Sequence, residues 1–380
     1  MRDALCLVAA AAIALSARAE DSVALLRSGA RVPISDISAS GVSLAAARGK
    51  PGKVESLSHV KDVTGPLASK FEANRPLATD LWRASGRLER GDEGGAEPLY
   101  ESLWTRSVGV DGPTRAEIAA GLAACRVRRG AYATAVDPWL EWLRQSGSLS
   151  TDQLAVQRKQ LGISDSAEYW IDVLPPVWTD STAVRSLASH EGATQSGGTA
   201  HPNAEDLLLI YQIAARRETG QPWQVDPQHA INDPAWANLA GEMVLAEADN
   251  AEVRAEARQR LASRLVPDVA LWKQIWIRLA LGRSLMLEPG ADDRRAGILN
   301  LLWIVSREAP PTPLLASAFA GAIKGLVLIA DLDGARSLLA DAERRLPGDP
   351  VLDSPVIASA RRATARAPTP PSVPSPDKDK

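Results

Sequence analysis

The sequence predicts a mostly α protein, an α-solenoid of helical hairpins preceded by a small antiparallel β module, and three observations support this fold class. Short alternations of apolar and polar residues, broken by glycines, fill the chain up to about residue 65, which is typical of strands and turns. From about residue 75, apolar residues recur at helical spacing. A helix-glycine-helix segment also repeats within that region, as expected of stacked hairpins.

The N-terminus predicts a segment that is removed on export. In residues 1–19 an arginine precedes an apolar run, and the segment ends in Ala17-Arg18-Ala19, the small-residue pattern of a signal peptide. We therefore expect a bacterial protein that is periplasmic or secreted; an uncleaved anchor or a buried N-terminal helix is the alternative. After this segment the most apolar run, residues 314–330, contains Lys324 and falls short of the roughly 20 residues that cross a bilayer. No transmembrane span is expected there.

Residues 20–65 are predicted to form the β module. The alternating stretches are separated by Gly29, Gly41, Gly49 and Gly52, which indicates three or four short antiparallel strands. So small a sheet is marginal on its own. We expect it to pack against the helices or against a second copy of the chain.

Residues 75–150 are predicted to form tetratricopeptide-like helical hairpins, in which a helix ends at a glycine and a second helix begins beside it. The glycine tolerates the left-handed conformation of such a turn, and small residues are expected where the two helices approach closely. The positions that match at an offset of 39 residues are Ala84, Arg87, Arg90, Gly91 and Ala96, which fall on Ala123, Arg126, Arg129, Gly130 and Ala135.

Three further parts complete the predicted organisation. Residues 151–203 contain prolines and a run rich in Gly, Ser and Thr, so we expect an irregular linker region. Residues 204–355 carry apolar stripes in several helical segments, residues 234–247 among them, and are predicted as a second block of hairpins. Residues 362–380 are rich in proline and charge and are predicted as a disordered tail.

A family resemblance comes from four residues near the end of the second block. Ala335, Leu339 and Ala342 lie on one face of a predicted helix, and Pro347 follows its end. This arrangement resembles the second helix and exit proline of a tetratricopeptide repeat. The resemblance implies a solenoid of helical hairpins, and it names no ligand.

The sequence shows no catalytic or metal-binding motif. His59, His190, His201 and His229 each lack a second His or Cys at ligand spacing, and no Gly-x-Ser-x-Gly turn or phosphate-binding loop is present. Cys125 is predicted to be a buried, unreactive thiol. We therefore expect no catalytic residue, no metal and no cofactor. A formal net charge of −3 provides no broad positive field, so nucleic acid is not an expected partner.

Two patterns supply candidates for partner binding. Arginines at corresponding positions of two hairpins could form a basic stripe for an acidic peptide or polysaccharide; alternatively, they complement helix dipoles and pair with Glu89, Asp92 and Glu93. Of the eleven tryptophans, Trp82 and most others are predicted in the helical core, whereas two adjoin prolines in loops and could anchor a partner or cap the core edge. The candidates are Arg87, Arg90, Arg126, Arg129, Trp178 and Trp223.

These patterns together predict an exported, non-enzymatic scaffold or adaptor that binds a protein or peptide through a helical-repeat surface. The alternative is a cell-envelope hydrolase whose site is assembled from distant carboxylates, since a fold does not fix a function. A third interpretation is a structural subunit in which the β module forms a homo-oligomer.

Overall fold

The computed structural model shows a mostly α chain with a small antiparallel sheet at its N-terminal end. The structure describes residues 22–46, 52–161, 174, 176, 181–189, 204–308, 310 and 312–366. Within these residues, five strands precede fifteen α-helices that pack largely in chain order. The predicted fold class is confirmed.

The elements are numbered in chain order. The strands are β1 Val23–Leu26, β2 Arg31–Ser38, β3 Gly41–Leu44, β4 Val54–Glu55 and β5 Val60–Thr64. The first helices are α1 Ala68–Glu89, α2 Glu93–Arg106, α3 Pro113–Arg128, α4 Tyr132–Ser146, α5 Thr151–Gln160 and α6 Ser181–Ser189. The later helices are α7 Ala204–Glu218, α8 Pro227–Ala230, α9 Leu239–Leu245, α10 Ala251–Ser263, α11 Leu271–Leu285, α12 Ala291–Val305, α13 Thr312–Leu328, α14 Leu332–Arg345 and α15 Pro355–Arg366. Short 3-10 helices cover Leu57–His59, Pro234–Trp236 and Pro350–Asp353.

The strands form one antiparallel sheet in the order β4-β3-β2-β1-β5. The sheet has one strand more than the predicted three or four because β4 is only two residues long, too short to show an alternating pattern. One face packs on the first half of α1, where Phe71 and Ala78 join the core of the sheet. The β module therefore packs against a helix of its own chain.

A bulge in β2 keeps two isoleucines on the same buried face. Ile34 and Ile37 are both buried, although a spacing of three residues would place them on opposite faces of a regular strand. The register against β3 shifts between Ile34 and Asp36. This shift adds one residue to the strand, so both side chains point into the core.

Three hairpins share one kind of turn. After α1, α3 and α13 the chain closes with backbone hydrogen bonds of the Schellman pattern, for example from Asp92 N to Arg87 O at 3.0 Å. The residue with a positive φ is Gly91 in the first turn, Gly130 in the second and Ala330 in the third. In each hairpin the second helix begins two residues after this position.

The small residues of the repeat lie at buried positions. Ala84, Ala96, Ala123 and Ala135 each have an exposed fraction of 0%, as expected where paired helices approach. Residues 113–125 of α3 are buried all round, because α3 contacts α1, α2, α4, α5 and β4. The polar side chains of this part of α3, those of Thr114, Arg115 and Glu117, are therefore held inside the protein.

The segment 151–203 is not wholly irregular, since α5 and α6 lie within it. The α5 helix begins with a capping box, in which the side chains of Ser150 and Gln153 each bond the backbone N–H of the other residue. Apolar periodicity does not reveal this helix because most of its residues are polar. The capping box is the sequence signal that predicts it.

Residues 234–247 form two elements rather than one helix. The 3-10 helix Pro234–Trp236 comes first, and α9 then begins after Asn238, whose side chain accepts a hydrogen bond from Gly241 N. Gly241 packs on the Trp236 backbone, where an added Cβ would lie 2.3 Å from the carbonyl oxygen. The Asn cap and the close packing of the glycine divide the predicted helix.

Helical structure also continues into the predicted tail 362–380. The α15 helix extends to Arg366, Thr364 is buried, and Arg336 Nη2 donates a hydrogen bond to Thr364 O at 2.9 Å. Residues 367–380 and the predicted signal peptide 1–19 lie outside the described residues. Of the helices that are described, none has the length and apolar character needed to cross a membrane.

A late helix, α13, contacts the early part of the helical array. α4 contacts α6 and α7, α7 contacts α9, and α11, α12 and α13 follow in sequence. Pro313, at the start of α13, then lies against the turn between α3 and α4, so that a Cβ on Gly130 would be 2.5 Å from Pro313 Cγ. Buried apolar residues from α1 to α15 form one continuous core.

Candidate binding sites

The two candidate arginines at the C-terminal end of α3 are paired with carboxylates of α2. Arg129 makes two hydrogen bonds of 2.8 Å to Glu97, through Nε and Nη2, and Arg126 Nη2 donates to Glu101 Oε1 at 3.0 Å. Glu97 and Glu101 lie one turn apart on α2, so they present a row of negative charge to the end of α3. The positive charge of these arginines is largely neutralised inside the chain.

The two corresponding arginines at the C-terminal end of α1 differ in their partners. Arg87 Nη1 pairs with Asp92 Oδ2 at 3.1 Å, whereas Arg90 is exposed and its side chain makes no hydrogen bond or ion pair within the part of the chain that is described. Three of the four arginines are thus held by carboxylates, with Glu97 rather than Glu89 as a main partner. This geometry favours internal pairing over a free basic stripe.

The tryptophan candidates also differ from each other in what the structure shows of them. Trp223 is half-buried and packs against the edge of the helical core, while Trp178 lies outside the described residues. Trp82, expected in the core, is 49% exposed on α1, because this face of α1 borders a cavity rather than another helix. The Arg27 guanidinium lies 4.2 Å from the centre of the Trp82 ring.

A cavity of about 170 Å³ lies where the β module meets α1, α3 and α5; we call it the junction cavity. Trp82 and Val156, both about half exposed, form its outer wall. Its polar lining includes Arg27, Ser58, Ser85, Glu117 and Gln157.

Glu117 is the centre of a buried hydrogen-bond network in this cavity. Its side chain, 5% exposed, accepts hydrogen bonds from Ser58 Oγ at 2.6 Å and Ser85 Oγ at 2.7 Å. Ser85 Oγ also lies 3.1 Å from the Tyr100 hydroxyl. Burial, followed by the charge of Glu117, raises the pKa of Tyr100 far above its usual range. Gly121 permits this packing, because a Cβ there would be 2.1 Å from Tyr100 Cζ.

An ion pair forms part of the cavity wall, because His59 lines the cavity together with Gln153. His59 Nδ1 donates to Glu55 Oε2 at 3.0 Å, Lys53 Nζ lies 2.8 Å from Glu55 Oε1, and Gln153 Nε2 donates to Glu55 Oε2 at 3.2 Å. Burial favours the neutral form of Glu55, but the hydrogen bonds and charges of His59 and Lys53 outweigh it and lower the pKa of Glu55 to about 2. The hydrogen bond to Glu55 in turn raises the pKa of His59. The pair is ionised between these two pKa values.

The environments of Glu55 and Ser58 differ from those of typical acid-base and nucleophilic groups. A hydrolase needs a carboxylic acid whose pKa is high enough to donate a proton, whereas the pKa of Glu55 is shifted downward. Ser58 Oγ donates its hydrogen bond to the Glu117 carboxylate, and a carboxylate is a weaker base than the imidazole that usually activates a serine. These residues therefore provide no support for the hydrolase alternative.

Sequence reasoning does not bring Arg27, Trp82 and Glu117 together, because they come from the end of β1, from α1 and from α3. One signal could have identified Glu117. It stands in the apolar run of α3, and an ionisable residue on a helix that is buried all round needs internal partners.

A larger groove, of about 430 Å³, lies between α11, α13 and the 3-10 helix before α15; we call it the helical groove. Apolar residues of the segment that directly follows α11, of the last 3-10 helix and of α15 form its walls, and Leu287, in the first of these, is 48% exposed. The small residues that α13 contributes, at helical spacing, are Ala316, Ser317, Ala320 and Gly321. The small side chains of α13 therefore leave the groove open, and Leu287 provides an accessible apolar surface on its wall.

Neither site has the composition of a metal centre. Across the described ranges, no group of three or more His, Cys, Asp and Glu side chains is placed to hold a metal ion. Cys125 is buried, and burial raises the pKa of its thiol to about 12. This agrees with the predicted unreactive thiol.

The described residues place the protein in the class of helical-hairpin proteins with an N-terminal antiparallel sheet, and they form the junction cavity and the helical groove. A scan against models of known protein families finds no match for the chain, and comparisons with curated proteins and with solved structures find none either. The tetratricopeptide-like interpretation therefore stays a prediction, supported by the packing of the hairpins alone.

Proposed function

We propose that the protein is an exported, non-enzymatic scaffold or adaptor that binds a protein or peptide partner, and that it does so through the helical groove. The observation that supports this proposal is the open groove of about 430 Å³ with Leu287 half exposed on its wall. Concave apolar surfaces on helical arrays accept extended or helical peptides. Exposed large apolar side chains at such places supply the contacts that dominate affinity.

Charged residues would orient the partner. Lys324 lines the groove, is exposed, and forms no ion pair within the described ranges. Glu218, another lining residue, is bonded by Arg283 Nη2 at 3.4 Å. A peptide with an apolar anchor for Leu287 and an acidic residue for Lys324 matches this distribution.

The proposed location is the periplasm or the outside of the cell, on the basis of residues 1–19. Mass spectrometry of the protein expressed from its full gene in bacteria should give a mature N-terminus at Glu20, directly after the predicted cleavage site. A chain that retains its first 19 residues after fractionation would contradict the export part of the proposal.

Peptide selection tests the binding part. Phage-displayed peptides would be selected on the immobilised chain from residue 20 onward, and the affinity of selected peptides measured by fluorescence polarisation. We expect micromolar peptides whose binding weakens about fivefold or more in Leu287→Ala, because an apolar anchor contact contributes about 1 kcal/mol or more. Ala320→Phe, which fills the groove, should abolish binding.

Leu299→Ala is the matched control, since Leu299 is 66% exposed on α12 and does not line the groove. Its affinity should equal that of the parent chain. Failure to select any peptide, or equal loss in Leu287→Ala and Leu299→Ala, would contradict the proposal.

A further inference from the structure

The junction cavity contains an arginine whose charge is not paired. Arg27 Nε donates to Ser58 O at 2.8 Å, and its guanidinium stacks over Trp82. Its two terminal nitrogens make no hydrogen bond, and no carboxylate forms an ion pair with it, among the described residues. Burial lowers the pKa of Arg27, so part of its solvation is already lost. A guanidinium in this situation is a ready donor for a carboxylate, which it can bind through two parallel hydrogen bonds.

The same cavity contains a buried carboxylate that also has no cation bonded to it. Glu117 is satisfied by two serine hydroxyls, and no Lys, Arg or His within the described ranges forms an ion pair with it. His59, which also lines the cavity, interacts with Glu117 through its charge without a hydrogen bond to it. Each of its oxygens accepts one hydrogen bond and can accept a second. At the rim, Glu89 is exposed and likewise makes no ion pair in that part of the chain.

The two opposite charges therefore line one small space without joining each other. Gln157 adds a donor, because its Oε1 accepts from Trp142 Nε1 at 2.8 Å while its Nε2 makes no bond among the described residues. A volume of about 170 Å³ corresponds to roughly five or six water molecules and is below the range of about 300 Å³ and more that drug-sized ligands occupy.

We propose that the junction cavity binds a small zwitterionic molecule of the free amino acid class. Its carboxylate lies on Arg27 and Gln157, its ammonium group on Glu117, and an apolar side chain against Trp82 and Val156. This site is separate from the helical groove, and the inference does not depend on the function proposed for that groove.

Charge complementarity favours this class over its neighbours. A purely anionic ligand would satisfy Arg27 but would meet the buried charge of Glu117 at short range, and a purely cationic one would meet Arg27. A neutral sugar could satisfy hydrogen bonds but would leave Arg27 without a counterion and Glu117 with only the charge of His59, to which it is not bonded. Only a ligand with both signs compensates both groups.

Isothermal titration calorimetry of the chain from residue 20 onward tests the proposal, with the twenty free L-amino acids as probes. We expect at least one amino acid with an apolar side chain to bind. For L-leucine, the single-charge analogues are isopentylamine, which lacks the carboxylate, and 4-methylpentanoate, which lacks the ammonium group; each analogue of the binding amino acid should bind at least about tenfold more weakly, a loss of about 1.4 kcal/mol. No amino acid binding below about 10 mM, equal binding of an analogue, or binding of glucose alone would overturn the proposal.

Variants connect the measured binding to the cavity. Arg27→Met keeps the length of the side chain but removes its donors, and should weaken binding at least about tenfold. Arg31→Met is the control, because Arg31 is an exposed residue of β2 that does not line the cavity; its affinity should not change. Glu117→Gln keeps an acceptor for one serine and removes the charge, and should also weaken binding. If Glu117→Gln does not fold, as judged by circular dichroism, the comparison of Arg27→Met with Arg31→Met decides alone.

Discussion

Arg115 shows how a charged side chain is accommodated inside this protein. Arg115 on α3 is 6% exposed, and its Nη1 donates to Trp104 O at 2.9 Å and to Ser107 Oγ at 2.7 Å. The guanidinium also stacks 3.6 Å from the centre of the Trp104 ring. The planar fork of arginine allows both contacts at once, so α3 can be buried all round and still carry a charge.

The Glu55 carboxylate should make stability depend on pH. Its pKa is about 2 in the folded chain against a usual value of 4.5, so the stabilisation that it provides is complete above about pH 4.5 and is lost as the pH falls toward about 2. For His59, whose pKa is raised, the stabilisation is complete below its usual value of 6.5 and is lost as the pH rises through the folded value.

We expect Glu55→Gln to lower the free energy of unfolding by about 1–2 kcal/mol at pH 6, after allowance for partial screening by solvent. The difference from the parent chain should shrink as the pH falls below about 4.5. Urea denaturation followed by circular dichroism at several pH values measures this. Glu308→Gln, at an exposed position, should leave stability unchanged, and a constant Glu55→Gln effect down to pH 2 would contradict the prediction.

Among the elements, the hairpin turn is the feature that the sequence predicts best. A glycine follows both α1 and α3, and each adopts the positive φ that such a turn needs, 75° at Gly91 and 79° at Gly130. The third turn of the same kind has Ala330 at φ 61°. Alanine in this conformation costs about 1–2 kcal/mol, so the third turn stores strain.

Ala330→Gly should therefore raise the free energy of unfolding, by about 0.5–1 kcal/mol once the greater freedom of glycine in the unfolded chain is subtracted. Ala330 is exposed, so little packing is lost. Gly91→Ala is the reverse experiment: a Cβ at Gly91 meets nothing within 4 Å, and the loss of about 1 kcal/mol should come from the backbone alone. Urea denaturation checks both; a destabilising Ala330→Gly would show that the turn is not strained.

Elements that depend on short or polar segments are not predictable in the same way. β4 has two residues and exists because it pairs with β3 and because Gln153 Nε2 donates to Val54 O at 2.8 Å. No periodicity can reveal so short a strand. The division of residues 234–247 depends equally on a tertiary contact, the approach of Gly241 to the Trp236 backbone.

At the scale of the whole molecule, both candidate sites arise between distant parts of the chain. The sequence identifies the arginines at the C-terminal end of α3, yet their carboxylate partners on α2 neutralise most of the charge that they could offer to a ligand. The residues that line the junction cavity come from the turn after β1, the first 3-10 helix, α1, α3 and α5, and only the packing of the sheet on the helices brings them together. Helix and strand patterns in a sequence carry no information on such tertiary contacts.

The contact between Gly130 and Pro313 can be measured with a double-mutant cycle. A Cβ at Gly130 would lie 2.5 Å from Pro313 Cγ, so Gly130→Ala should cost about 1 kcal/mol more than Gly91→Ala, which has the same backbone strain but no neighbour. In a Pro313→Ala background the extra cost should largely disappear. Equal costs in both backgrounds would show that α13 does not rest on the early turn in solution.

Open arrays of hairpins can lose their terminal units one at a time, because each unit touches only its neighbours. In this chain Pro313, at the start of α13, packs against the turn between α3 and α4. The later helices therefore stabilise the earlier ones. Unfolding of the later helices would remove this contact from the first block. We therefore expect the helical part to unfold in denaturant in a single cooperative transition.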